Sequence, residues 1–369
     1  MSGAAVGDGE MKTALLHYWL TNVRGGEKVL AALGELMPEA DVFTHADRPE
    51  SFGEPSRERL WGHRVTESFI ARLPLGRRHP QAYLPLMPAA SRSLALDGCD
   101  LIVSSESGPV KGIRKPKGAR HVCYCHTPMR YLWDMHDEYF RTAGIGGKLA
   151  MKLFTPYLRR EDLKSAESVD EFVANSAFVA ERIKRIYGRD SVVVHPPVDV
   201  DFFSAAERKA GDYYLFVGAP VAYKRLDLAR AACAKLGRKL VVAGGGSATG
   251  EELRGLYACA KALLFPGVED FGIVPVEAQA AGCPVIAYGA GGALETVRAG
   301  ETGLFFDEAS VESLCSAIEE FEARKWHSGL CRTNAARFAK HVFLEKIARI
   351  ASGSSQDGAA PAGIAAGPR

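Results

Sequence analysis

Short runs with an apolar centre recur along the chain, each ending in a polar loop and followed by a stretch with apolar residues three and four apart. Runs such as TALLHYW (13–19), DLIVSS (100–105), RHVCYCH (120–126) and DEFVANS (170–176) do not alternate, so they predict strands buried on both faces of a parallel sheet. The first leads into a Gly25-Gly26 turn and a helix over Glu27–Leu36, stopped before Pro38. Ser176 predicts the cap of an amphipathic helix that Gly188 closes.

After VVVHPPVDVDFF (192–203) the alternation starts again. YYLFVG, KLVVAGGG, ALLFPG, PVIAY and LFF read as strands, separated by the helical stretches LDLARAACAKLG, EELRGLYACA and ALETVRAG. SVESLCSAIEEFEA and VFLEKIARIAS read as late helices. Two α/β domains with doubly wound parallel sheets follow, and a length of 369 residues exceeds what one core usually holds. The boundaries fall at 1–10 for a disordered leader (Met11 being an alternative start), 11–205 and 206–335 for two Rossmann-like domains, 336–352 for a final helix and 353–369 for a small, flexible tail.

Composition narrows the partners. A formal net charge of +2 argues against a dedicated nucleic-acid binder. No apolar run is long enough to span a bilayer, and no basic region precedes an apolar stretch at the N-terminus. The eight cysteines form no C-x-x-C pair and most sit among apolar residues, which predicts buried thiols and no metal.

The chemistry concentrates in Glu269-Asp-Phe-Gly-Ile-Val-Pro-Val-Glu277. Pro275 suits a first helical position, which would put Glu277 in the first turn, with Gly282 ending the helix. The amides of Phe271, Gly272 and Ile273 would then face an anion while Glu269 and Glu277 accept bonds from sugar hydroxyls. Two carboxylates repel phosphate, so a cation must come from elsewhere, and Lys224 is the candidate.

This E-x7-E pattern, followed by AQAAGCPVIAYGAGGALETVRAGETGLFF, resembles the retaining glycosyltransferases of family 4 (group 1), which have the GT-B fold of two Rossmann-like domains facing a cleft. HYWLTNVRGGEKVL, CYCHTPMRYLWD and VVVHPPVDVDFF resemble its surface-polysaccharide mannosyltransferase branch, and the likeness runs from about Lys12 to Ser352. The resemblance implies a donor domain at the C-terminal side and a last helix that crosses back to the first domain. It implies that Gly25 and Gly26 close over the donor diphosphate, that Lys224 neutralises it and that His126 lies near the transferred sugar. The family's usual arginine after the glycine is Ala219 here, so Arg225 is the candidate substitute.

Plainer readings stand beside these. Glu27 and Lys28 read as helix surface, Asn175-Ser176 as a cap, Asp199-x-Asp201 as a hinge turn, Glu295 as a cap, and His17 and His195 as structural. GKLAMKLFTPYLRR (147–160) reads equally as a helix on an anionic membrane or as a core-facing helix with a solvated basic side. Between KLVVAGGG and EELRGLYACA only Ser-Ala-Thr-Gly intervenes, where the family has a further helix and strand.

The resemblance therefore implies a hexosyltransferase moving mannose from GDP-mannose onto a polyprenyl-diphosphate-linked or other oligosaccharide, in lipopolysaccharide or exopolysaccharide assembly. It would need no cofactor or metal. It would be cytoplasmic, peripheral on the inner face of a bacterial membrane. The alternatives are a UDP-hexose donor, or a nucleotide-sugar-binding relative with weak or no turnover because of the shortened segment.

Overall fold

The computed structural model describes residues 11–22, 25–51, 62–244 and 250–353. The leader expected at 1–10, the tail expected beyond 353 and Ser247-Ala248-Thr249 of the shortened segment lie outside them.

The first sheet is parallel throughout, in the order β3-β2-β1-β4-β5-β6-β7. Its strands are β1 (Thr13–His17), β2 (Asp41–Thr44), β3 (Val65–Glu67), β4 (Leu101–Glu106), β5 (Arg120–Cys125), β6 (Glu171–Ala174) and β7 (Ser191–Val193). The second sheet is also parallel, in the order β12-β11-β10-β8-β9. It comprises β8 (Tyr213–Val217), β9 (Lys239–Ala243), β10 (Ala262–Phe265), β11 (Val285–Tyr288) and β12 (Gly303–Phe306). Central strands such as β4 and β10 are buried along their whole length, because helices cover both faces.

Each sheet reverses its winding once. In the first, β2 and β4 lie on either side of β1, and in the second β9 and β10 lie on either side of β8. The loops leaving such a pair diverge to opposite faces and open a crevice at the carboxyl ends, where ligands of doubly wound sheets bind.

The helix Gly25–Leu36 begins two residues earlier than the sequence suggests. Ser176 caps the helix Ala177–Tyr187 by accepting from Val179 N at 3.1 Å, and Gly188 ends it with φ 67°. The last helix, Lys340–Ala351, places Phe343, Ile347 and Ile350 in one core with Leu15, Val29 and Leu33 of the first domain. Arg120 donates to the carbonyl of Ile350 at 2.6 Å, tying that helix to the start of β5.

β9 pairs only with β8 among the described residues, and Val242 on it is 40% exposed. It is therefore an edge strand of the second sheet.

Candidate functional site

Lys224 and Glu269 leave the second sheet in the loops after β8 and β10, the two strands at its switch point. Lys224 Nζ lies 2.9 Å from Glu269 Oε1, with the side chains 16% and 20% exposed. Three glycines make room for this lysine. A Cβ at Gly218 would come within 2.8 Å of Lys224 Cδ, one at Gly267 within 2.7 Å of Lys224 Cα, and one at Gly244 within 2.6 Å of Gly218 N. The lysine stem is therefore held against bare backbone, and its ammonium is directed at the acidic loop.

That loop enters the helix Ile273–Ala280, whose N-cap is Gly272 at φ 89°. Only glycine adopts this conformation without strain. Among the described residues, no carbonyl or side chain accepts from the amides of Phe271, Gly272 or Ile273, so this helix start is free to receive an anion. The Phe271 side chain is buried and stacks on His195 at 5.3 Å. Pro275 is the third helical residue, not the first, because the glycine cap starts the helix two positions earlier. Glu277 accordingly sits one position into the second turn. It is buried, accepts from Tyr257 Oη at 3.1 Å and lies 3.5 Å from Lys28 Nζ. Burial raises its carboxyl above the usual range, against the pull of Lys28 and Tyr257.

The first domain closes on this loop. A Cβ on Gly25 would meet Ile273 Cδ1 at 3.0 Å, so the glycine turn lies directly against the acidic-loop helix. A Cβ on Gly26 would meet His17, Tyr18 and, at 3.6 Å, Nε2 of His126. His126 follows β5, and its Nε2 pairs with Ser105 Oγ of β4 at 2.9 Å. Burial lowers its pKa to about 3, with His17 adding to the effect, so the imidazole is neutral at physiological pH.

Several assignments change. Arg225 adopts a left-handed conformation (φ 53°) and its guanidinium lies 3.3 Å from Asp227 on its own helix, so it does not join Lys224 at Glu269. The geometry of the tight turn before that helix sends two adjacent basic side chains different ways. Glu27 is not helix surface but 2% exposed, 3.8 Å from His17 Nε2, and Lys28 reaches across to Glu277. Asp199 caps a short helix, accepting from Phe202 N at 3.3 Å. Glu295 does act as a cap, but for the other domain: it accepts from the amides of Ala177 and Phe178 at 2.8 and 3.2 Å and pairs with His195.

Residues passed over in the sequence also meet here. Asp270 is gripped by Arg130 and Arg182 of the first domain, and Arg130 lies over the Tyr223 ring at 5.6 Å. Arg130 stands four residues after His126 in CYCHTPMRYLWD, and that proximity was the available signal. A cavity of about 470 Å³ adjoins the Gly25 helix and the hinge, and Lys28, Glu35, Asp199 and Lys340 are among its lining residues. Among the described residues no group of three or more His, Cys, Asp or Glu is placed to hold a metal.

Two family models match this chain: Glycosyltransferase Family 4 over residues 23–202 and Glycosyl transferases group 1 over residues 246–338. D-inositol 3-phosphate glycosyltransferases of Mycobacterium bovis and Mycobacterium tuberculosis are 30% identical over 196 residues, a match covering 42% of this chain and 41% of theirs. The chain thus matches less than half the length of these relatives. A glycosyltransferase of Rickettsia africae superposes with a TM-score of 0.63 at 16% identity, covering 94% of this chain and 99% of the other. HepE of Anabaena, solved with UDP-glucose, gives 0.63 at 16% identity over 92% and 99%. These likenesses establish the GT-B fold.

Proposed function

We propose, for a chain of GT-B fold whose two domains match glycosyltransferase family models, the retaining transfer of a hexose from a nucleoside-diphosphate donor to a lipid-linked oligosaccharide. Retention and the acceptor rest on the resemblance to family 4, as does mannose from GDP-mannose as the preferred donor. The observation that carries the reading is the Lys224–Glu269 pair at the switch point, with Gly25 of the first domain packed against Ile273 at the start of the helix that follows the acidic loop.

As the glycosidic bond stretches, negative charge grows on the departing diphosphate. Lys224, the amides at 271–273, which have no acceptor among the described residues, and the start of the Gly25 helix would stabilise it without a metal. Glu269 would hold hydroxyls of the sugar and Glu277 those of the ribose, while His126, being neutral, would orient the sugar rather than carry a proton to it. The Arg130–Asp270 and Arg182–Asp270 pairs would hold the lobes together and limit water at the donor.

A UDP-hexose is the second donor reading, favoured by the UDP-glucose complex of HepE. A binding protein without turnover is the third, favoured by the five-stranded second sheet. Calorimetry with GDP, GDP-mannose and UDP-glucose, paired with transfer to a lipid-linked acceptor, tests all three. GDP-mannose binding with transfer supports the first reading, UDP-glucose binding with transfer replaces the donor, and binding without transfer or hydrolysis rejects the enzyme.

A further inference from the structure

The helix Ile145–Glu167 packs on the first domain through Thr155, Leu158, Asp162 and Ala166. Its first half lifts away from that contact. Ile145 is 90% exposed, Leu149 68% and Leu153 67%, the three most exposed large apolar side chains among the described residues. At 100° per residue these positions span about 80° of the helix surface, on the side turned away from the buried face. Three large aliphatic side chains in one row on solvent are not the scattered exposure of an ordinary surface.

The charges around the row are mostly basic. Lys148 and Lys152 flank it, with their ammonium groups over the Phe140 ring at 5.9 and 5.8 Å. Arg141, Arg160 and Lys164 are exposed nearby, against Asp137 and Glu167 as exposed acids. Tyr139, 46% exposed on the preceding helix, adds an amphipathic ring. No helix among the described residues is long and apolar enough to cross a membrane, so an apolar row with a cationic border fits a surface that is greasy below and anionic above.

We propose that Ile145, Leu149 and Leu153 insert into the headgroup boundary of an anionic bilayer while Lys148 and Lys152 pair with its phosphates. This surface deepens the lipid-linked acceptor reading by naming where the enzyme meets the lipid. A second copy of the chain, packing row against row, is the competing occupant, and the basic border opposes it by placing like charges together.

The test is flotation of the full chain with vesicles of phosphatidylcholine alone or containing phosphatidylglycerol, alongside sedimentation analysis without lipid. Wild type should float only with the anionic vesicles and be released by high salt. Leu149→Glu with Leu153→Glu should reduce binding by an order of magnitude or more, and Lys148→Glu with Lys152→Glu should remove the preference for phosphatidylglycerol. Circular dichroism and donor binding should be unchanged in both variants. Equal flotation of wild type and the leucine variant overturns the proposal, as does a lipid-free dimer that the leucine variant abolishes. Absence of donor binding in wild type would instead reject the transferase reading and leave the vesicle result standing.

Discussion

Replacing Lys224 by methionine isolates its charge. The methionine keeps the unbranched stem that Gly218 and Gly267 accommodate, so packing is retained. Only the ammonium, 2.9 Å from Glu269 Oε1, is removed. A unit charge about 4 Å from a developing phosphate charge is worth about 4 kcal/mol at an effective dielectric of about 20. The pair is only partly exposed (16% and 20%), so water screens it less than a surface pair. At about 1.4 kcal/mol per tenfold, kcat/KM should fall on the order of 10³. Glu269, left without its partner, adds repulsion toward the diphosphate and acts in the same direction. Initial rates of transfer or donor hydrolysis, with the donor found by calorimetry, measure the effect, and thermal denaturation confirms that Lys224→Met is folded. A folded variant within about fivefold of wild type would refute the charge-stabilisation argument, because a loss that small corresponds to only about 1 kcal/mol.

Glu277→Gln should weaken nucleotide affinity about tenfold or more while kcat changes less, since a hydrogen bond to a charged acceptor contributes about 1.5–3 kcal/mol. A drop in kcat at unchanged affinity, read from calorimetry and steady-state rates, would reject the ribose role. Gly292→Ala should cost about 3 kcal/mol, because its Cβ would lie 2.3 Å from the backbone of Phe271. Gly329→Ala, which meets nothing within 4 Å, is the control, and urea midpoints compare the two. Burial lowers the pKa of His45 from 6.5 to about 4. The unfolded chain therefore takes up the proton first, and the stability this residue contributes above pH 6.5 is lost as pH falls toward 4. The loss is on the order of 3 kcal/mol. His45→Gln should flatten urea-midpoint stability between those pH values, and an unchanged slope would show that another group carries it.

The sequence by itself determined the elements and their order. Runs with an apolar centre such as DLIVSS become strands wherever both faces are covered, and local signals such as Ser176 and Gly188 act within a few residues of themselves. It also named Lys224 as the cation for the Glu269 loop, from the charge of the E-x7-E pattern and the family resemblance. The tertiary structure supplies how these two meet: β8 and β10 become neighbours at a switch point although 45 residues separate Lys224 from Glu269. It likewise decided that Arg225 turns away, that Lys28 crosses to Glu277, and that Asp270 and Glu295 bind the opposite domain. The physical reason is range: backbone propensity and hydrophobic period act over a few residues, whereas the partner of a charge is set by which loops the sheet order brings to one crevice.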